Sequence, residues 1–250
     1  MTDTATGAPL PAVAPKGFFT RVIGVFTSPR ETFADIAARP TFAGALVLST
    51  LIIVLMTTGL AMTQRGQDMA LDQVDRVVQG VERMTGRPMP DDQYDAMVRR
   101  VRGFPTQQLV GSVVGVPIFF AIEAGVLFVI FTSIMGGESR YKQVLAVLVF
   151  ASLIPAAGLF FSIPIQYAKH SLDITPTSMM VFLPFLGQRS FFARFINWFD
   201  LFRVWWIVTL SIGLAVLYRR RSGPVIGIVG SLWAAFALVA ATIGSLFSGA

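Results

Sequence analysis

The sequence predicts an all-α polytopic membrane protein: a five-transmembrane-helix bundle with an N-terminal amphipathic interfacial helix and an external αα-hairpin. Three observations predict it. Of the 250 residues, 54% are apolar and only 14% are charged, whereas about 25% are charged in an ordinary soluble chain. Mean hydropathy is +0.67. Five stretches come close to the ~20 mostly apolar residues that cross a ~30 Å hydrocarbon core.

The spans follow one another as Phe42–Met62, Leu109–Met135, Val144–Ile165, Leu201–Tyr218 and Pro224–Phe247. Buried helices of a soluble protein would carry a charged outer face, and the first, third and fifth stretches have none. In domain terms, residues 1–16 read as a disordered tail and 17–250 as one five-span membrane domain.

Composition also excludes functions. The apolar content is too high for a disordered chain. There is no cysteine, which removes disulfide scaffolds and thiolate metal sites. The single histidine, His170, removes His-ligated zinc clusters and the two-His metalloprotease helix. No cofactor is expected. The formal charge of +6 reads as membrane orientation, so no nucleic-acid partner is expected.

Positive charge near span ends marks the cytoplasmic side. Arg219, Arg220 and Arg221 fill the short link between spans four and five. Arg140 and Lys142 lie between spans two and three, and Lys16, Arg21, Arg30 and Arg39 precede span one. The N-terminus is therefore expected in the cytoplasm and the C-terminus outside. The link Thr63–Gln108 dissents in part, with seven Arg balanced by seven Asp and Glu. Trp198, Trp205, Trp206 and Tyr167 are expected at the outer interface, and Tyr141 and Tyr218 at the inner one.

Segments outside the core are patterned too. Residues 17–39 are amphipathic. Ser28-Pro29-Arg30-Glu31 has a Ser cap, Pro at the first helical position and Glu three residues after the cap. With Phe18, Phe19, Ile23, Phe26, Phe33 and Ile36, this predicts a helix pair on the inner membrane surface. Leu71, Val74, Val78 and Val81 recur at helical spacing, and a second helix starts at Asp91 with Tyr94, Met97, Val98 and Val101 on one side. These make an external hairpin over 66–104. Segment 167–199 contains Ser178–Leu186 and Phe191–Phe199, both too short to span, and reads as interfacial or re-entrant.

Glu123 is the one acidic residue deep inside a span, and such a group is a functional candidate by default. Depth at ~1.5 Å per residue sets it level with Ser152 and with residues 208–211. Arg203 lies too far along span four for direct pairing. Pro155 cannot donate to the Ala151 carbonyl, so a protonated Glu123 is expected to bond Ser152 or that carbonyl. Asp200 reads as a helix cap, and Arg203 as an anchor one turn on. Gly230, Ala234, Ala237, Ala241 and Gly244 form a small-residue packing stripe on span five, and Gly111 and Gly115 a GxxxG on span two. They suit internal packing or a homo-oligomer equally. No P-loop, no GxSxG at a span and no paired intramembrane acids occur, so no enzyme is expected.

Several pieces resemble one family. They are Ser28-Pro29-Arg30-Glu31-Thr32-Phe33-Ala34-Asp35-Ile36 before span one, Gly136-Gly137 with Tyr141-Lys142-Gln143 entering span three, Ser152-Leu153-Ile154-Pro155 within it, and Asp200-Leu201-Phe202 with Trp205 entering span four. In order and spacing they resemble the Yip domain family (Ypt/Rab-interacting membrane proteins), in its bacterial branch, over about residues 20–246. The resemblance implies five spans, a cytoplasmic N-terminus and a non-enzymatic membrane protein. Phe150-Ala151 replaces the Gly-Tyr of eukaryotic members, and the Asp-Leu-Tyr-Gly-Pro motif is missing, which puts small-GTPase binding in doubt.

The expected role is a scaffold or accessory subunit of a membrane transport or trafficking-like complex in a bacterial plasma membrane. Its partners would be membrane lipids and another membrane protein or a second copy. The alternatives are a small transporter or channel-like protein using Glu123, and lipid-surface or curvature sensing through residues 17–39.

Overall fold

The computed structural model describes residues 16–103, 106–134, 136–172, 177–178 and 191–248. Nearly all of the expected disordered tail and of Ser178–Leu186 lies outside these residues. The described chain forms eleven α-helices: α1 (Phe18–Thr27), α2 (Pro29–Ala38), α3 (Ala43–Ala61), α4 (Gln64–Thr85), α5 (Asp91–Arg102), α6 (Thr106–Phe128), α7 (Tyr141–Ala151), α8 (Leu153–Lys169), α9 (Phe191–Asn197), α10 (Leu201–Leu217) and α11 (Ser222–Ser248). A π-helical turn, Val129–Ile134, extends α6.

Among the described residues four helices are long and apolar enough to cross a membrane: Ala43–Ala61, Leu109–Thr132, Tyr141–Lys169 and Ser222–Ser245. Tyr141–Lys169 is the centre of the bundle. Its apolar window is 72% buried, against 28% or less for the other three. The α7 half packs against α6 and α10, and the α8 half against α3 and α10. The helix breaks at Ser152, because Pro155 has no N–H to give the Ala151 carbonyl. Every residue from Val144 to Ala151 is buried.

The fourth expected span is shorter than the other four. α10 has 17 residues, fewer than the ~20 that a perpendicular crossing takes. Its start is fixed by neighbouring chain. Leu201 N–H donates to the Thr177 carbonyl at 3.0 Å, and Ser178 bridges Asp200. Just before it, Trp233 Nε1 donates to the Trp198 carbonyl at 3.1 Å. Trp233 lies roughly 16 Å along α11 at ~1.5 Å per residue. α10 therefore begins beside the middle of α11. Trp206 packs inward against that same stretch of α11. It is 4% exposed and meets Trp233 edge-on, with ring centroids 5.7 Å apart.

In the N-terminal helix pair, α2 turns its apolar face to the bundle. It docks on α10 and α7, with Phe33 and Ile36 fully buried. Gly213 of α10 makes this possible: a Cβ there would meet Val147 Cγ1 at 2.5 Å and the Phe33 ring at 3.0 Å. α1 keeps Phe19 and Ile23 exposed, as an interfacial helix would.

α4 starts on a Thr63 cap, whose Oγ1 accepts from Gly66 N–H at 2.9 Å, and ends at Gly86 in the left-handed region. α5 packs back on α4, and α4 on α11. The small-residue stripe of α11 is covered unevenly, and an added Cβ at Gly230 would meet nothing within 4 Å. Ala237 and Ala241 are fully buried, while Gly230, Ala234 and Gly244 are half-buried. Gly111 and Gly115 face outward with nothing within 4 Å of an added Cβ.

Candidate functional site

Glu123 lies on the inward side of α6, one turn from Phe120 and Leu127 and next to Ala124, all three buried. These apolar neighbours, at helical spacing, turn the carboxyl toward the bundle. It makes no hydrogen bond among the described residues. The expected bond to Ser152 or to the Ala151 carbonyl is not made; Ser152 Oγ donates instead to the Leu148 carbonyl of its own helix at 2.9 Å.

The charge that Glu123 does feel is Arg203. The two interact electrostatically, although they are not an ion pair within 4 Å among the described residues. Depth arithmetic from backbone positions left them apart, and the side chain closes part of that gap. The Arg203 guanidinium lies 5.3 Å from the ring centroid of Trp206, one turn further along α10, and 4.4 Å from that of Trp233. Two indole faces thus solvate a cation that lipid could not. Asp200 acts as the cap read from its position: Oδ1 accepts from Arg203 N–H at 3.0 Å. Pro155 does not touch this group; its effect is the break at Ser152.

Gly136, Gly137 and Lys142 belong to the other end of α6. Gly136 has φ 66°, a conformation that costs a side-chain-bearing residue about 1–2 kcal/mol. Gly137 is pressed under Tyr218, where a Cβ would lie 2.3 Å from the ring. The ring stacks on Phe131 at 5.4 Å. Its hydroxyl accepts from Ser139 Oγ at 2.7 Å and bonds Thr132 Oγ1 at 2.9 Å. This lock ties the π-helical turn to the end of α10. Lys142 is exposed, and its neighbour Gln143 carries the contacts: Nε2 donates to the Ala37 carbonyl at 2.8 Å.

Sequence reasoning missed the polar clamp inside α1–α2. Arg21 is 5% exposed. Its Nε donates to Asp35 Oδ2 at 2.7 Å, and its Nη1 to Thr41 Oγ1 at 2.7 Å and to the Arg39 carbonyl at 3.2 Å. The signal was there: a lone arginine within Phe18-Phe19-Thr20-Arg21-Val22-Ile23 needs an acceptor if that face is buried. Among the described residues no group of three or more His, Asp or Glu is placed to hold a metal.

The sequence pieces singled out earlier thus occupy the joints of the structure: α2, the turn after α6, the break at Ser152 and the start of α10. A model of the Yip1 domain matches residues 23–243, a range that contains all of them. The chain belongs to the Yip1 domain family. Like its family, it is a multi-pass membrane protein. A relative, "Membrane protein YknW" of Bacillus subtilis (strain 168), is 25% identical over 232 residues, covering 91% of this chain and 89% of that one. No solved structure matches the chain.

Proposed function

We propose that this Yip1-domain protein is a non-catalytic scaffold or accessory subunit of a membrane transport or trafficking-like complex. It crosses a bacterial plasma membrane five times, with its N-terminus in the cytoplasm and the α4–α5 hairpin outside. The observation that carries this reading is the hairpin. α5 has no buried residue, its apolar side is only half-covered by α4, and Val77 and Met84 of α4 remain exposed. A helix pair with an incompletely covered apolar side suits a protein partner better than water. The test is purification from native membranes in a lipid-retaining environment, with identification of co-purifying proteins. A stoichiometric membrane partner lost on deleting 66–102 supports the reading. A clean monomer or homo-oligomer, or a partner indifferent to that deletion, sinks it.

A small transporter or channel-like function is the second reading, favoured by the electrostatic interaction of Glu123 with Arg203. Glu123→Gln decides its proton-carrying form: full activity in the glutamine protein removes it. A third reading, lipid-surface or curvature sensing through residues 17–39, rests on exposed Phe19 and Ile23 of α1, since α2 is docked in the core.

A further inference from the structure

At the cytoplasmic end proposed above, the turn from α10 to α11 and the outer side of α2 enclose a cavity of about 330 Å³, lined by Arg30, Ala34, Val216, Arg219, Arg220 and Ser222 among others. That is at the small end of ligand pockets, roughly 300–1,000 Å³. Three exposed arginines from two separate elements line it, and no acidic residue is in its wall.

Two of these arginines have no acidic partner among the described residues. Among the described residues neither Arg30 nor Arg219 has a carboxylate within ion-pair distance. The two acids of α2 are engaged elsewhere: Glu31 pairs with Lys16 at 3.7 Å and Asp35 with Arg21 at 2.7 Å. Arg30 and Arg219, like charges without a carboxylate partner, repel one another. Arg219 also has φ 52°. Where the turn alone would favour glycine, the chain carries a cation. The first turn of α11, at Ser222, adds backbone N–H groups without intrahelical acceptors and the positive end of the helix dipole.

We propose that this cavity is a binding site for a phosphate group, with Arg30 and Arg219 as its principal ligands and Arg220 and the start of α11 completing it. Guanidinium forks match phosphate oxygens in pairs, and Ala34, one turn after Arg30, leaves the space that the group fills. The site is at the end of two membrane-crossing elements, so a phospholipid headgroup and a free phosphate share the required chemistry.

The experiment uses the full chain purified into nanodiscs of phosphatidylcholine doped with phosphatidylglycerol, and native mass spectrometry reads which lipid is retained. Wild-type protein should retain phosphatidylglycerol preferentially. At roughly fivefold per cation near an anionic headgroup, Arg30→Gln with Arg219→Gln should lower the preference by ~10-fold or more. Ala34→Phe fills the cavity without changing charge, should also abolish the preference, and decides the matter if the double variant does not fold. Arg140→Gln, at the same end but outside the cavity, should change nothing. Stabilisation of wild type by millimolar inorganic phosphate, lost in the same variants and without lipid preference, would identify a free phosphate as the ligand and equally support the site. A preference that survives in both variants, one that Arg140→Gln weakens as much, or no response of wild type to either probe overturns the proposal.

Discussion

Arg21 and Asp35 meet at 2.7 Å between α1 and α2, with side chains only 6% and 9% exposed. Arg39, on the rim, adds a second contact to Asp35 at 3.3 Å. Removing one member of a buried pair strands the other charge and costs about 3–5 kcal/mol. Asp35→Ala and Arg21→Ala should each lower the melting temperature and open residues 17–41 to protease. Arg21→Met combined with Asp35→Leu should recover most of the loss. A surface pair would instead give single-site losses of about 1 kcal/mol or less.

Gly137 and Tyr218 make a second joint with its own signature. Gly137→Ala forces a Cβ into the ring and onto the Phe131 carbonyl, 2.7 Å away, and should destabilise by about 1–3 kcal/mol. Gly136→Ala has open space around it and should cost only the φ strain. Tyr218→Phe removes the hydroxyl that joins Thr132 and Ser139 and should cost about 1 kcal/mol per hydrogen bond. Thermal melts of the three variants read the order; a harmless Gly137→Ala would rule out this packing.

Arg203→Ala removes a cation held between two indoles, and a desolvated cation–π contact is worth about 2 kcal/mol. The change should lower stability and shift the tryptophan emission, since Trp206 and Trp233 both lose the guanidinium. Arg203→Lys should rescue charge but not the flat stacking, giving an intermediate emission. Unchanged emission in Arg203→Ala would place the guanidinium elsewhere.

The hairpin has a pH signature. Tyr94 donates to Asp75 Oδ1 at 3.0 Å. That bond, then the Asp75 charge, raises the phenol above its ordinary value. The neutral phenol is the form that donates, so the bond contributes fully below the unfolded tyrosine value of about 10. Its contribution is lost as pH rises through the higher folded value. Ultraviolet titration should find one phenol ionising late, and Tyr94→Phe or Asp75→Asn should remove that phase. A Tyr94 that ionises with free tyrosine would show that the bond does not form.

The fold was legible where one-dimensional pattern determines it. Hydropathy located the four long helices within a few residues, and the Thr63–Gly86 and Asp91 signals bounded α4 and α5. It failed where depth depends on partners. α10 is short because Thr177 and Trp198 hold its start beside the middle of α11, a long-range fact without local periodicity. The place of Asp200 was readable as a cap, since capping is local. The interaction of Arg203 with Glu123 was not, because it joins side chains of two helices far apart in the chain. Arg21 was hidden for the opposite reason: it was counted as topology charge, although its apolar neighbours on α1 bury it.

The break at Ser152 divides the central helix into two differently covered halves that share α10 as a neighbour. Below it Val144–Ala151 are all buried, so lipid touches none of them. Above it α8 shares its flank with α3, and Phe160 and Phe161 face outward. The lower half is therefore a fixed footing and the upper half a cantilever. A tilt that membrane thickness or a bound neighbour imposes on α8 is taken up first at that joint, where a backbone hydrogen bond is missing, and reaches the α2–α7–α10 base through α10, which packs on both halves.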